Sequence, residues 1–297
     1  MTSGYYSEAY ARSFAPSPVV GLPASGGWLL QREIAGTDRS DLMGLYPFLC
    51  CRDWTALSDD LSALPGDPVS LVTVTDPLGR YDASVLAGAF ATARPYKDHF
   101  VIDTSVPLAD HVKRSHREVA GRAMRRVDVS IAESPMLWAD DWVRLYGVLC
   151  TRHAISGVRR FSEAALRAQL AVEGLVMFRA SLGSRTIGLD LWYLQDDAAQ
   201  GHLAAFDEDG YRLRASYATK MVMIESLRQR VAWINLGGAP GSGEGLLQFK
   251  RGFATGTRTA WLCSRIFDPA VYSAITAARG IAPDTAFFPA YRNGEIF

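Results

Sequence analysis

Residues 235–253 read NLGGAPGSGEGLLQFKRGF. Five glycines, Gly237, Gly238, Gly241, Gly243 and Gly245, permit backbone angles and close approaches that other residues do not. The segment follows an apolar run, WINL at 233–236, that reads as a buried strand. It leads into a short helix expected over 245–252, which carries Phe249, Lys250 and Arg251. A glycine-rich loop between a strand and a helix can turn backbone N–H groups toward an anion, and the two cations add to that field. The spacing is neither the GxxxxGK[ST] of a P-loop nor a dinucleotide fingerprint. A phosphate or oxyanion site and a plain connecting loop both remain open on spacing alone.

Upstream, VDVSIAE (127–133) alternates as a strand, and 136–151 reads as a helix with Leu137, Trp142, Leu145 and Leu149 available for an apolar face. Ser162 before EAAL has the form of a capped helix start. LVMFRAS and RTIGLDLWYL flank Gly183-Ser184 as a hairpin. HLAAF (202–206) reads as a strand, 211–229 as a long helix and 259–267 as a closing strand. In the first half, strands are expected at 28–34, 69–75, 87–93 and 98–103. Helices are expected at 53–64 and from Pro107 to about Arg125, and the first 25 residues read as an extended arm.

Composition narrows the class. With 48% hydrophobic and 21% charged residues the chain is globular, and its 31 basic residues balance 31 acidic ones. A polyanion could be held only by a local patch, which excludes extensive non-specific nucleic-acid binding. Cys50, Cys51, Cys150 and Cys263 form no CxxC pair, and the five histidines lack metal-ligand spacing, so no metal site is expected. With no signal-peptide run and no membrane span, the expectation is a cytoplasmic protein with reduced thiols.

The ordered set Leu236-Gly237-Gly238, Gly245-Leu246, Phe249-Lys250 and Phe253 resembles the end of the catalytic domain of Fem-type transferases, the FemAB-like branch of the GNAT acyltransferase superfamily. Tyr96-Lys97-Asp98-His99, the basic helix 113–126 and Phe288-Pro289-Ala290-Tyr291-Arg292 are similar to further family passages, so the resemblance covers about residues 95–295. It implies an α/β GNAT fold: a mixed central sheet flanked by helices, in two GNAT-like halves. The expected division is 1–126, a reduced first half with its arm, and 127–297, the catalytic half.

The resemblance implies direct transfer of an activated acyl or aminoacyl group to the amine of a small molecule or peptide, without a covalent enzyme intermediate. A backbone N–H near splayed central strands would serve the oxyanion. Lys250 would stabilise charge at the leaving group, with Phe249 beside it, and Asp190 would orient the amine or act as base. Donor contacts are expected from Phe249, Arg251, Gly237, Gly238, Arg212 and Arg214, and from Arg114, Arg117 and Arg125 on one face of the basic helix. Trp192, Tyr193 and Tyr217 are expected to line the acceptor pocket.

Aminoacyl-tRNA, gripped at its acceptor end, is the preferred cosubstrate, on the Phe249-Lys250 element and because DEDGYRLRAS, with only Gly210, departs from the family's usual glycine-containing pyrophosphate loop. Acyl-CoA is the close alternative. A non-catalytic GNAT-fold binding module is the alternative from another class.

Overall fold

The computed structural model describes residues 3–157, 160–239, 243–282 and 285–295. Gly241 of the glycine-rich segment lies outside these. The chain forms two compact units. One comprises the residues up to Ala9 and Lys97–Arg258; the other comprises Tyr10–Tyr96 and the residues from Thr259 onward. The division expected at 126 falls inside the first of these. The basic helix packs there, because its buried Ala120 and Ala123 face the same core as the long helix that follows the central hairpin.

In the second unit the strands are β1 (Val19–Leu22), β2 (Gly27–Glu33), β3 (Ser40–Gly44) and β4 (Ser70–Val74). They run in the order β1-β2-β3-β4, antiparallel except for a parallel β3–β4 pair. Around them lie α1 (Glu8–Arg12), α2 (Leu57–Ser62) and α3 (Ala83–Ala89). A strand was expected at 87–93; α3 occupies its first part. The Asp82 carboxylate caps this alanine-rich run by accepting from the Val85 N–H at 2.9 Å, and the extended backbone begins only at Thr92. The expected arm is also structured: Tyr5 and Tyr10 are buried. Asp41, fully buried, is held by Arg292 and Arg32 and by the Tyr291 hydroxyl. Thus Tyr291-Arg292 of the aromatic tail serves as a structural clasp.

The first unit carries the glycine-rich segment. β5 (Thr92–Asp103) contributes its later residues, followed by α4 (Leu108–His111), α5 (Arg114–Met124), β6 (Asp128–Ile131), α6 (Ala139–His153) and α7 (Glu163–Leu170). Next come β7 (Leu175–Leu182), β8 (Arg185–Gln195), β9 (Ala198–Phe206), α8 (Glu208–Arg212), α9 (Ala215–Leu227), β10 (Trp233–Gly238) and α10 (Glu244–Arg251). β11 (Gly256–Ile266) and α11 (Pro269–Ala278) complete the chain, β11 pairing antiparallel with β4 in the second unit. Two helices expected as continuous are broken. Arg214, at φ 59°, separates α8 from α9, and an extended Val112-Lys113 separates α4 from α5.

The sheet of this unit runs β5-β10-β9-β8-β7-β6. Only β9 and β10 are parallel, and they pair over three positions, ending at Asn235 opposite Gln200. Beyond that point both strands continue without exchanging hydrogen bonds, so they part. On the other edge of β10 a bulge shifts the register with β5 between Asn235 and Gly237. Gly237 has φ 82°, a conformation costly for any residue with a Cβ. The core beneath gathers Phe100, Ile102, Phe178, Trp192, Ile224, Leu227, Ile234 and Phe253.

The face of β8 opposite this core holds a polar chain. The Tyr5 hydroxyl lies 3.0 Å from His202 Nδ1, and His202 Nε2 lies 3.0 Å from Gln169 Oε1. Gln169 Oε1 can only accept, so His202 Nε2–H donates, and Nδ1 takes the tyrosine proton. Burial drives the His202 pKa down to about 3, and that of His99 likewise to about 3. Unfolded histidine titrates near 6.5, so between these values the unfolded chain binds more protons, and stability falls as pH falls. The urea midpoint should therefore drop steadily below pH 6, by roughly 1.4 kcal/mol per pH unit per histidine. A midpoint that stays flat from pH 7 to pH 5 would contradict this.

Candidate active site

The site forms where β9 and β10 part. Asn235, buried at the last paired position of β10, organises it. Its Oδ1 accepts from the Gly237 N–H at 2.8 Å and from His99 Nδ1 at 3.1 Å, and its Nδ2 donates to Gln200 Oε1 at 2.8 Å. This fixes the turn through Gly237.

Lys250, from α10, reaches back into that turn. Its Nζ donates to Gly238 O at 2.7 Å, and a Cβ added at Gly237 would stand 3.0 Å from Nζ. Desolvation, then the charges of Lys220 and Lys97, lower its pKa to about 7, against a smaller opposing effect of Asp190. An amine near neutrality at physiological pH suits proton transfer.

Asp190 on β8 is 2% exposed, and its Oδ2 accepts from Lys220 Nζ of α9 at 2.6 Å. The same ammonium lies 4.4 Å from the centre of the Trp192 ring. Asp190 and Trp192 share a face because strand residues two apart do. Tyr193, expected beside Trp192, projects to the other face. There its hydroxyl donates to Gln169 O at 2.8 Å and its ring meets Tyr5 and His202, so it belongs to the core and not to the site.

Next to Lys250 lies an aromatic cluster. Phe249 contacts Tyr217 edge-on at 4.8 Å and Phe253 at 5.2 Å, and His116 of α5 packs against Tyr217 and Phe253. His116 Nε2 donates to Phe249 O at 3.2 Å, and the Lys113 N–H donates to Gly252 O at 2.9 Å. A Cβ at Gly252 would sit 2.1 Å from His116 Nε2, so only glycine lets α10 dock on α5. Phe253 is buried, whereas Phe249 and Tyr217 remain half-buried.

Tyr217 also lines a cavity of about 450 Å³ between α5 and the start of α9, together with Arg122, Arg126, Arg212, Leu213 and Arg214 among others. Here α9 begins at the left-handed Arg214 with no side-chain cap, which leaves the positive end of a 13-residue helix facing four guanidinium groups. Arg212 is engaged by Asp209, while Arg122, Arg126 and Arg214 have no ion-pair partner among the described residues.

The basic helix therefore presents a different face from the expected one. Arg114 pairs with Glu118, Arg117 donates to the Ala109 and Val112 carbonyls that close α4, and Arg125 donates to Gly121 O. None of these three lines the cavity. Arg251 is exposed, with no partner among the described residues. Besides Arg122 and Arg126, sequence reasoning missed Lys220, Gln200 and Asn235 as site residues. Asn235 stood at the head of the segment, where a buried amide before two glycines was the available signal.

The mixed sheet flanked by helices, with one parallel pair that parts, is a GNAT fold. Among solved structures the chain is similar to FemX, at 10% identity and TM-score 0.66, over 90% of this chain and 93% of that one. It is likewise similar to the C-terminal domain assigned to a lysylphosphatidylglycerol synthetase of Agrobacterium fabrum (12% identity, TM-score 0.64, 89% and 88% covered). A third is L-PGS of Bacillus licheniformis (12%, 0.60, 92% and 96%). These identities establish a shared fold. No family model and no curated protein sequence matches the chain.

Among the described residues no helix is long and apolar enough to cross a membrane, and no group of metal-binding side chains occurs.

Proposed function

We propose that the protein transfers an activated acyl or aminoacyl group directly onto an amine, with Lys250 as the proton-transferring residue. The observation that carries this reading is the placement of Lys250: it is desolvated, with a pKa of about 7, and its Nζ is pinned at the turn where β9 and β10 part. The acceptor nitrogen attacks the donor carbonyl carbon, forming the C–N bond. The C–O bond of an aminoacyl ester, or the C–S bond of a thioester, then breaks. Neutral Lys250 takes the proton released by the nitrogen and returns it to the leaving oxygen or sulfur, so the protons balance. Backbone N–H groups freed where the strands part are candidates to stabilise the oxyanion.

The arginine-lined cavity suits the phosphates of the donor, and the Phe249–Tyr217 edge between it and Lys250 suits an adenosine base. The synthetase name attached to one similar structure, lysylphosphatidylglycerol synthetase, agrees with an aminoacyl donor. Aminoacyl-tRNA held at its acceptor end remains the preferred donor. Acyl-CoA is the second reading, favoured by the arginines at the start of α9.

Transfer to a panel of amines should be measured with charged tRNA and with acyl-CoA, before and after ribonuclease. Activity that survives ribonuclease removes the tRNA reading, and no transfer from either donor removes the enzyme reading. Arg122→Glu with Arg126→Glu should raise the KM for the donor by about tenfold to a hundredfold while changing kcat little, a loss of roughly 1.5–3 kcal/mol for charge-assisted phosphate bonds. An unchanged KM would place the donor elsewhere.

A further inference from the structure

Chemistry dictates the direction of each hydrogen bond around Asn235. The Gly237 N–H can only donate, so the Asn235 atom 2.8 Å from it is the amide oxygen, and the amide nitrogen is turned to Gln200 Oε1 at 2.8 Å. His99 Nδ1, 3.1 Å from the same oxygen, must then carry its proton. Asn235 is 2% exposed and stands opposite Gln200, at the last position where β10 pairs with β9. One amide thus ties β10 to a residue on each neighbouring strand and to its own turn.

That turn is the seat of Lys250. Gly237 is held through its N–H at φ 82°, and the next residue, Gly238, gives its carbonyl to Lys250 Nζ at 2.7 Å. The fit is close: a Cβ at Gly237 would stand 3.0 Å from Nζ, and one at Gly238 would stand 3.2 Å from the His99 ring. A carbonyl takes one N–H of the amine, a bond that the neutral and the charged form can both make. In the neutral form the lone pair stays available for the acceptor's proton. Its direction follows from where the Gly238 carbonyl points.

We propose that Asn235 is a positioning residue for the transfer, holding the Gly237-Gly238 turn so that the Gly238 carbonyl aims the Lys250 amine at the acceptor nitrogen. This rests on the acyl-transfer reading above and adds a second residue to it. Asn235 touches no reacting atom, and its effect on the rate passes through Lys250. A proton acceptor must lie within hydrogen-bond reach of the attacking nitrogen, and a misplacement of about 1 Å costs on the order of a hundredfold.

Asn235→Ala should lower kcat by about tenfold to a hundredfold, with little change in KM for donor or acceptor. The decisive measurement is the double replacement. In a Lys250→Met background, Asn235→Ala should cost less than about threefold more, because the group it aims is gone. A residue that only braced β9 against β10 would lower the rate by the same factor in both backgrounds, and that result overturns the proposal.

Asn235→Asp is the conservative variant. A carboxylate still accepts from the Gly237 N–H, and its charge beside the turn favours protonated Lys250. The other charged or titratable groups around Lys250 stay in place: Lys97 and His99 of β5, Asp190 of β8 and Lys220 of α9. The lower limb of its pH–kcat profile should therefore move up by about one unit. Above that limb kcat should recover to within about threefold of wild type, whereas Asn235→Ala stays low at every pH. An Asp variant no faster than the Ala variant would overturn the proposal. Should Asn235→Ala not fold, Asn235→Asp alone decides, since a limb that stays at its wild-type pH overturns the proposal.

If the wild-type protein transfers to no amine from any donor, the transferase reading falls instead. Protein grown on ¹³C-lysine still tests Asn235 in that case, with Lys250→Met to assign the signal. The Lys250 midpoint should be higher in Asn235→Asp than in wild type, and an unmoved midpoint would show that Asn235 does not govern the seat of the amine.

Discussion

Replacing Lys250 with methionine should lower kcat for transfer by about two to four orders of magnitude, the range expected when a general acid–base residue is lost. Folding should survive. Methionine keeps the straight side chain, and the amine it replaces is a group whose burial already disfavours its charge. Thermal denaturation and kcat, measured side by side, check both halves of the statement. Lys250→Arg discriminates further, because a guanidinium keeps the charge but cannot accept a proton near neutrality. If charge alone sufficed, arginine would restore most of the rate; the proposed proton transfer requires that it remain close to methionine.

The pH dependence has a definite sign. Below about pH 7, Lys250 and the acceptor amine are both protonated and neither can serve as base. As pH rises through about 7, Lys250 becomes neutral and kcat should climb, and in Lys250→Met this lower limb should vanish. Wild-type activity that falls through pH 7 would reverse the assignment. A non-catalytic binding module would show no effect of Lys250 on any transfer.

The fold was largely legible because its decisive residues are local. Gly237, Phe249, Lys250, Gly252 and Phe253 lie within one segment, and each acts through the turn or the helix next to it. What the sequence hid depends on which way a helix or strand is rotated. Periodicity groups Arg114, Arg117 and Arg125 on one face, but it does not say that Arg117 closes the end of α4 or that Arg122 and Arg126 face the cavity. Trp192 and Tyr193 look equivalent as neighbouring aromatics, yet strand alternation sends them to opposite sides. Lys220 gave no signal: a lysine amid ASYATKMVM is an ordinary helix residue until Asp190, thirty positions earlier, is seen beneath it. The expected strand at 87–93 failed for a local reason, since Asp82 caps a run of good helix formers.

Removing Asp190 should have the largest effect on stability. Asp190→Ala would leave the Lys220 ammonium, itself only 13% exposed at its side chain, without its partner at 2.6 Å. Breaking a buried pair from one side costs about 3–5 kcal/mol. At roughly 2–4 °C per kcal/mol for a protein of this size, the melting temperature should fall by about 6–20 °C. A melting temperature that falls by less than about 3 °C would mean that the pair contributes no more than an exposed one.

The double replacement Asp190→Leu with Lys220→Met should recover most of the stability, since two apolar residues over Trp192 leave no charge to solvate. That recovered protein separates the two roles of the pair. If it transfers as well as wild type does, the pair serves only to tie β8 to α9. If it does not transfer, Asp190 itself takes part in moving the acceptor's proton, and the path from nitrogen to Lys250 must run through the carboxylate.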